Sequence, residues 1–412
     1  MSRNRISSTF AAVLICITSG ASADDLDKPP LSFAGYGTLG LTHSSENQAD
    51  FSSNYLQPNG AGYTHNWSAS VDSRLGLQAT GKLGSDWSAI VQVISQQRFD
   101  NTYTPTAEWA NLKYQATPDL SIRAGRIALP IFLTADYRNV GYAIPWVRAP
   151  GELYNLVPVT HSDGLDVSYR VHFGELTDTI KVAVGGTKIN VPGDGHLEIN
   201  AMRGIANSLE YGVTTVRLAY LQGNLNGNIG QSLFSAFDQF GPQGLTIAGK
   251  YDLTNKPIVY AGVGISYDPG PWFAMAEIGN IRIHSFLGDK SAGYATVGYR
   301  NNKFTPYLTY AQGNANSNRT DPGLSTQGLP PQLAAQVSAL NVGLNRMLGG
   351  IAIQKSLSFG VRWDLMKNTA LKGQYDLIQL GDGSIGNLVN AQPGFSGGGK
   401  ASVASFVLDF VF

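Results

Sequence analysis

The feature that most constrains the fold is an alternation of apolar and polar residues, repeated in segments of about ten residues. Within residues 71–83, Leu75 and Leu77 share one parity, whereas Arg74 and Gln78 share the other. The same pattern recurs in three further segments, residues 165–173, 356–364 and 371–377. A period of two places successive side chains on opposite faces of a β-strand. The pattern therefore predicts strands with one apolar and one polar face.

The connections between these segments are short and long in turn. Short turn signals are found at residues 84–86, 117–119, 174–179, 211–213, 268–271, 301–303 and 367–368. The longer, irregular stretches are residues 42–70, 98–106, 128–162, 188–196, 224–256, 283–290, 313–352 and 381–400. Short turns at one rim and long loops at the other are typical of outer-membrane barrels, which have an even number of strands. We therefore predict an all-β, transmembrane antiparallel β-barrel, most simply of sixteen strands, with periplasmic turns and extracellular loops.

Two segments fit this pattern less well. The alternation is blurred in residues 197–209, which we still predict as a strand, and residues 245–252 are placed inside a long loop. A third segment has a different period, because apolar residues recur at spacings of three and four at Leu333, Val337, Leu340, Leu344 and Leu348. That spacing predicts an amphipathic helix within the seventh long loop, packed on its own loop.

The first 23 residues have the pattern of a secretory signal peptide. Arg3 and Arg5 precede an apolar stretch at residues 10–17, and residues 21–23 read Ala-Ser-Ala, a typical cleavage site. Cys16, the only cysteine, lies in this segment. We therefore expect an exported chain whose residues 24–412 form a single barrel domain. After residue 23 no stretch reaches the ~18 consecutive apolar residues of a spanning helix.

The C-terminal segment and the aromatic residues favour a membrane barrel over a soluble one. Phe406, Leu408, Phe410 and Phe412 share one parity, which suits a last strand facing lipid. Aromatic residues also lie near predicted strand ends, where interfacial girdles belong: Trp87, Tyr114, Tyr169, Tyr267, Trp272, Tyr299 and Trp363.

With these features the chain resembles the Gram-negative porin family. The residues that carry the resemblance are 21–23, the first strand at 33–39, Ala-Gly-Arg at 124–126 and the terminal Phe-Val-Phe at 410–412. The resemblance implies a sixteen-stranded homotrimer in the cell outer membrane, whose third loop folds into the barrel as a constriction. It also implies passive diffusion of small hydrophilic solutes and ions. Residues 141–150 depart from enterobacterial general porins and resemble porin-like proteins of environmental proteobacteria.

Parity also predicts which charges face the lumen. The predicted inward bases are Arg74, Lys82, Lys113, Arg123, Arg170, Lys181, Arg217, Arg300, Arg362 and Lys372. The predicted inward acids are Asp72, Asp166, Glu277, Asp364 and Asp376. Because Lys and Arg in a pore wall favour anions, this excess of bases indicates an anion-favouring channel. The alternative is that these side chains only form salt bridges or bind lipopolysaccharide phosphates.

The third loop, about residues 128–162, supplies further candidates. We predict that the pore lining and constriction are formed by Arg74, Lys113, Arg123, Arg126, Asp136, Arg138, Arg148, Glu152, Asp163 and Arg170. By resemblance, the acids of the loop face bases of the wall, with Arg74 and Arg123 as the foremost wall candidates. Pro130, Pro145 and Pro150 stiffen the loop. A loop that only plugs and braces the barrel is the alternative.

Signals for catalysis and metal binding are weak. Each of the six histidines lacks a neighbouring ligand-spaced residue, and no nucleophile elbow, phosphate loop or dinucleotide motif is present. We expect no enzyme activity and no cofactor, although His161, Ser162 and Asp163 adjoin one another. An outer-membrane enzyme or adhesin is therefore the less favoured alternative. A solute-selective channel, indicated by Pro145 and Trp146, is the closer one.

The expected partners follow from this interpretation. They are outer-membrane lipid and lipopolysaccharide, small hydrophilic solutes, two further copies of the chain, and the barrel-assembly machinery through Phe412. With a formal net charge of zero, the chain is not expected to bind nucleic acid.

Overall fold

The computed structural model describes residues 30–412, so the predicted signal peptide at 1–23 lies outside the described residues. Sixteen antiparallel strands form a closed barrel, because the first strand pairs with the last through partners such as Gly37 and Phe410. The strands are β1 Leu31–Ser44, β2 Arg74–Lys82, β3 Trp87–Gln96, β4 Thr106–Gln115, β5 Leu120–Ala128, β6 His161–Phe173, β7 Leu176–Val191, β8 Gly195–Tyr211, β9 Thr214–Gly227, β10 Lys256–Tyr267, β11 Trp272–Arg282, β12 Lys290–Tyr299, β13 Phe304–Ala315, β14 Gln354–Met366, β15 Thr369–Leu380 and β16 Gly399–Val411. The predicted fold class and strand number are confirmed.

We number the connections at the loop rim L1 to L8 in chain order. They span residues 45–73, 97–105, 129–160, 192–194, 228–255, 283–289, 316–353 and 381–398. L4 has three residues instead of the nine predicted, because β7 and β8 continue their pairing from Asn190 with His196 to Val191 with Gly195. Residues 197–209 are strand, as predicted, and residues 245–252 lie in L5 and are mostly helical.

Short elements lie in several loops. L1 carries the two-residue strands Asp50–Phe51, Ala61–Gly62 and Trp67–Ser68. L3 carries a 3-10 turn at Gly141–Ala143 and the helix α1 Gly151–Tyr154. L5 carries α2 Gln231–Asp238 and α3 Gly241–Tyr251, and L7 carries α4 Pro331–Gly349. The amphipathic helix predicted in L7 is therefore confirmed, and its Val337, Leu344 and Leu348 are fully buried.

The two faces of the wall differ as the alternation requires. Leu77, Val182 and Ile278 point outward and are 53%, 47% and 62% exposed. Aromatic pairs ring the turn rim: Trp87 with Tyr114, Tyr267 with Trp272, and Phe304 with Trp363, at 4.7, 5.1 and 5.7 Å between ring centroids. Apolar outer bands flanked by such girdles are typical of outer-membrane barrels. No helix within residues 30–412 is long and apolar enough to cross a membrane.

The seam between β1 and β16 depends on two glycines. A Cβ atom at Gly35 or Gly37 would lie 2.3 Å from the ring of Phe412 or Phe410, so only glycine lets these rings lie flat across β1. The rings shield an otherwise bare stretch of wall from lipid. The terminal Phe-Val-Phe therefore completes the outer surface where the barrel closes.

Candidate functional site

L3 folds into the barrel instead of over its rim. It leaves β5 and returns to β6, yet its Trp146 is 1% exposed and contacts strands on the opposite side of the ring. Trp146 Nε1 donates hydrogen bonds to Thr296 Oγ1 on β12 and Thr309 Oγ1 on β13, at 3.0 and 3.1 Å. L3 thus crosses the lumen and divides its cross-section.

Two basic wall residues hold the middle of L3 through its backbone. Lys372 on β15 is fully buried and donates to the carbonyl oxygens of Gly141, Ile144 and Trp146 at 2.7, 2.8 and 2.9 Å. Its Nζ also forms a 2.9 Å ion pair with Asp409 on β16. Arg362 on β14 donates to the carbonyl oxygen of Tyr142 at 2.6 Å. These bases therefore brace the loop, and their donors do not point into open water.

Arg148 forms the charged contact between L3 and the wall. Its Nη2 lies 2.6 Å from Asp72 Oδ2 and its Nη1 lies 3.2 Å from Asp376 Oδ2, with all three side chains buried. Ser405 Oγ accepts a further hydrogen bond at 2.6 Å. Burial alone would raise the pKa of Asp72, but the Arg148 guanidinium outweighs it and holds that pKa below its usual value. At this contact the loop supplies the base and the wall supplies the acids.

A buried carboxylate holds the first arm of L3. Glu277 on β11 accepts hydrogen bonds from Leu133 N, Tyr154 Oη and Tyr294 Oη, at 2.8, 2.9 and 2.7 Å. The ring of Phe132 stacks on Tyr154 at 4.4 Å between centroids. With Trp146, these groups fill the lumen with protein along β11–β13. We call the inward faces of β11–β16 and β1 the anchored side.

The two predicted acids of L3 lie in different surroundings. Glu152 accepts a hydrogen bond from Gln354 Nε2 at 2.7 Å on the anchored side, and burial raises its pKa. Asp136 lies 4.0 Å from Lys181 Nζ on β7. Burial would raise its pKa, but Lys181, Arg217 and Arg123 together keep it below the usual value. Of the two, only Asp136 therefore forms an ion pair with a base of the wall.

The opposite arc of the wall carries a cluster of cations. We call the inward faces of β4–β9 the basic side, and its five cations are Lys113, Arg123, Arg170, Lys181 and Arg217. Lys113 and Arg123 are direct cross-strand partners. Two carboxylates adjoin them: Asp136 of L3, and Asp166 of β6, whose Oδ1 accepts from Arg123 Nε at 3.0 Å. Glu108 on β4 is a third carboxylate of this side, and five cations against three carboxylates leave it positive.

Above the basic side, L1, L2 and L3 enclose a cavity of about 300 Å³ that we call the outer vestibule. No carboxylate lines it among residues 30–412, and six bases do: Arg74, Arg98, Arg126, Arg138, Arg148 and Lys188. Arg126 and Arg148 are paired with Asp163 and Asp72. The other four have no carboxylate within 4.0 Å among the described residues, so the vestibule is strongly positive.

Two of the predicted lining residues lie away from the constriction. Asp163 shares the parity of the outward-facing Leu165 and Val167 and is 56% exposed. Its Oδ2 lies 2.7 Å from Arg126 Nη2, and Arg126 also donates to the carbonyl oxygen of Ala107. The pair therefore sits on the outer side of the wall at the edge of the vestibule.

Sequence reasoning missed how the wall holds the loop. Parity placed Arg362, Lys372, Asp72 and Asp376 in the lumen, but it gave no partner for any of them. It also missed Glu108, which accepts from Asn139 Nδ2 of L3 at 3.1 Å and lies 3.7 Å from His161. A carboxylate at the end of a strand, beside a bulge, carries no signal that separates a brace from a solvated charge.

The adjoining His161, Ser162 and Asp163 do not form a catalytic arrangement. Ser162 points inward and is 2% exposed, whereas Asp163 points outward from the same strand. A nucleophile and its acid partner must converge on the histidine. Within residues 30–412 there is also no group of three His, Cys, Asp or Glu placed to hold a metal ion.

A family model described as Gram-negative porin matches residues 9–383 of the chain. Among solved structures, the outer membrane channel DcaP of Acinetobacter baumannii matches with a TM-score of 0.54 at 11% identity, over 94% of this chain and 99% of that one. Salmonella typhi OmpF in complex with daunomycin gives 0.53 at 13% identity, over 93% and 97%. An anion-selective porin from Comamonas acidovorans gives 0.52 at 14% identity, over 93% and 99%. No curated protein sequence matches significantly.

Proposed function

Because this chain belongs to the Gram-negative porin family and is an outer-membrane channel for solute diffusion, we propose that it favours small anions. One observation carries this proposal: the outer vestibule is lined by six bases and, among the described residues, by no acid. The basic side continues the same arc of wall below it. Fixed positive charge in a low-dielectric channel raises the local concentration of anions.

The path that we propose runs from the outer vestibule, between L3 and β4–β9, to the turn rim. Most of the bonds that hold L3 are on the anchored side, so we place the open space on the basic side. Along this path Arg74, Arg138, Lys113, Arg123 and Arg170 are the lining residues that we propose. Asp136 narrows the path from the loop, and its carboxylate opposite Lys181 creates a transverse field.

The solute-selective alternative was motivated by Pro145 and Trp146. The indole of Trp146 is buried and both of its hydrogen-bond partners are on the wall, so its ring offers no face to a passing solute. Trp146 therefore braces the loop.

Planar-bilayer recording of the refolded mature chain tests the proposal. In a KCl gradient, the reversal potential should have the same sign as the equilibrium potential of chloride. A reversal potential at zero, or of the opposite sign, would contradict anion preference. An absence of conductance steps would contradict an open pore altogether.

We also propose that the channel is a homotrimer, as the family resemblance implies. The outer wall supports contact between copies along β3–β5, where Ala89, Ala110 and Ala124 point outward. On β13 and β14 the corresponding outward residues include Leu308 and Phe359. Small side chains let two barrels approach closely in lipid. Native mass spectrometry of the detergent-solubilised protein should give three copies, and a single copy would contradict this.

Three further proposals concern export and the surrounding membrane. We propose that residues 1–23 are removed on export. We also propose that lipopolysaccharide phosphates bind three exposed, outward-facing bases near the loop rim, which are Arg282, Lys355 and Lys400. We also propose that Phe412, 64% exposed, is recognised by the assembly machinery. Deleting Phe412 should then reduce assembly in cells and leave refolding in detergent unchanged.

A further inference from the structure

A second cavity in the barrel interior differs in character from the outer vestibule. It has a volume of about 220 Å³ and lies between the returning arm of L3, residues 155–159, and the inward faces of β7–β12. Its walls are almost wholly aliphatic, including Leu156, Val159, Ile189, Ile199, Ile258 and Ile281. Inward faces of large barrels are normally polar because water fills the lumen. An apolar chamber of this kind excludes water and can bind an apolar ligand.

Two polar groups reach this chamber without a partner among the described residues. Thr187 on β7 is 6% exposed, and its Oγ1 has no hydrogen-bond partner. Lys290 at the start of β12 lines the chamber with no carboxylate within 4.0 Å, and its nearest aromatic contact is the ring of Tyr55 at 5.9 Å. A buried donor left unpaired costs free energy, and a cation facing apolar walls costs more. A ligand that is anionic at one end would satisfy the ammonium group.

Two acids near Lys290, one adjacent to it in the chain and one across a small cavity, accept hydrogen bonds from other groups. Asp289 accepts from the backbone N–H groups of Ile283 and His284, at 2.8 and 3.2 Å. Glu152 lines an adjoining cavity with Lys290, but its carboxylate accepts from Gln354 Nε2. Neither supplies a counter-ion to Lys290 within ion-pair distance.

The chamber opens beside the path proposed for anions. Leu56, Asn155, Pro158 and Ile189 line both the chamber and the outer vestibule. A solute that the vestibule concentrates by charge therefore meets an apolar side chamber with one cation.

We propose that this chamber binds a small organic carboxylate whose body is apolar, of the size of a single aromatic ring. The carboxylate pairs with Lys290, and the apolar body fills the space between L3 and β8–β11. An apolar cavity of about 150 Å³ is known to accept benzene, so the volume here suits a one-ring acid. The inference rests on the proposed function only for the route by which the ligand arrives.

Isothermal titration of the refolded mature protein in detergent, with benzoate as the probe, tests this proposal. Benzyl alcohol has the same ring without the charge, and acetate has the charge without the ring. Benzoate should bind at least about tenfold more tightly than either, because benzyl alcohol lacks the charge that pairs with Lys290 and acetate lacks the ring that fills the apolar space. Equal binding of acetate and benzoate would overturn the proposal, because it would indicate general attraction of anions alone.

Variants locate the site. Lys290→Met should weaken benzoate binding about tenfold or more, and Lys290→Arg should retain most of it. Lys188→Met, which removes an exposed cation of the vestibule, serves as the matched control and should change affinity less than about twofold. Benzoate affinity in Lys290→Met within about twofold of the unsubstituted chain would refute the site.

Two further measurements guard against misfolding and separate the two proposals. Ile258→Phe fills the chamber and leaves Lys290 in place, so it should abolish benzoate binding; retained binding would overturn the proposal. The KCl conductance of Lys290→Met should equal that of the unsubstituted chain, which shows that the variant folds. If neither the unsubstituted chain nor Lys290→Met conducts while benzoate still binds to the unsubstituted chain, the proposed diffusion path is wrong and the proposed binding chamber is retained.

Discussion

On the anchored side of the lumen, Lys372 and Arg362 donate to the backbone of L3, whereas on the basic side Lys113 and Arg170 make no hydrogen bond to it. The two arcs carry the same residue types at the same inward parity. They differ in what the bases contact, which is the backbone carbonyl oxygens of L3 on one side and no backbone group of L3 on the other. A basic residue in a barrel wall thus has a structural or an electrostatic role according to its distance from the loop that crosses the lumen.

Removing one lysine from each side should test the difference between the two sides most directly. Lys372→Met leaves three carbonyl oxygens of L3 and the carboxylate of Asp409 without their cation in a dry site. Loss of one partner from a buried ion pair costs about 3–5 kcal/mol, so we expect a lower midpoint of heat unfolding in detergent and a larger, noisier conductance as L3 loosens.

Lys113→Met is the matched control, since it removes the same charge from a position that faces the lumen without bonding L3. We expect an unfolding midpoint close to that of the unsubstituted chain and a lower anion preference. Equal destabilisation by both substitutions would show that the two sides do not differ as described.

The Arg148 contact should give the next largest effect. Arg148→Met leaves Asp72 and Asp376 buried and facing each other without a cation, so the unfolding midpoint should fall. Adding Asp72→Asn removes one of these charges and should restore part of the loss. The coupling between the two substitutions, measured from unfolding midpoints of both single variants and the double variant, should be about 1–3 kcal/mol. Additive effects would mean that the ion pair does not hold the loop.

Most of the fold could be predicted from the sequence, and the reason is physical. Lipid outside and water inside require alternation in every strand. The position of Leu77 or Val167 within its strand therefore shows on which side of the wall its side chain lies. L4 is the exception: around Lys188 and Asn190, which are exposed, the apolar residues Ile189 and Val191 face inward, and pairing continues to Val191. Beyond the lipid the outer face of a strand meets water, and its inner face can pack on a loop, as Ile189 and Val191 do on L3, so the pattern no longer marks where the strand ends.

Only part of the candidate site could be predicted from the sequence. Parity places Lys372 and Lys113 in the lumen equally, because it reports the side of the wall and nothing about the loop. The partner of Lys372 is the backbone of residues 141–146, and a carbonyl group has no sequence signature. For the same reason the aliphatic chamber beside Lys290 was missed, since its walls come from four loops and six strands.

Charge reversal on the open side should change selectivity with little change in stability. Arg74→Glu places an acid in the outer vestibule, and we expect the anion-to-cation permeability ratio to fall about fivefold, from roughly 1 kcal/mol of altered electrostatic energy. Arg123→Glu should lower it as well, but it also breaks the pair with Asp166 and so adds some instability. Lys355→Glu, on the exposed outer face of β14, is the control and should leave the reversal potential unchanged.

The smallest effect expected is a pH dependence on the anchored side. Burial raises the pKa of Glu152 above its ordinary 4.5, so folding favours the protonated carboxyl. Stability should therefore fall as pH rises from about 4.5 through the raised folded-state pKa, and stay level above it. The lowered pKa values of Asp72 and Asp136 have the opposite effect, because they stabilise the fold at higher pH. That stabilisation is lost only as pH falls below 3.8.

Glu152→Gln should remove this dependence, because an amide can keep a hydrogen bond to Gln354 and does not titrate. Unfolding midpoints between pH 4.5 and pH 8 should decline for the unsubstituted chain and decline less for the variant. Asp136→Asn is the comparison on the basic side: it removes a carboxylate that its neighbouring cations stabilise, so it should lower the midpoint throughout this range. Parallel curves for the unsubstituted chain and Glu152→Gln would mean that water reaches Glu152, and the anchored side would then be as open as the basic side.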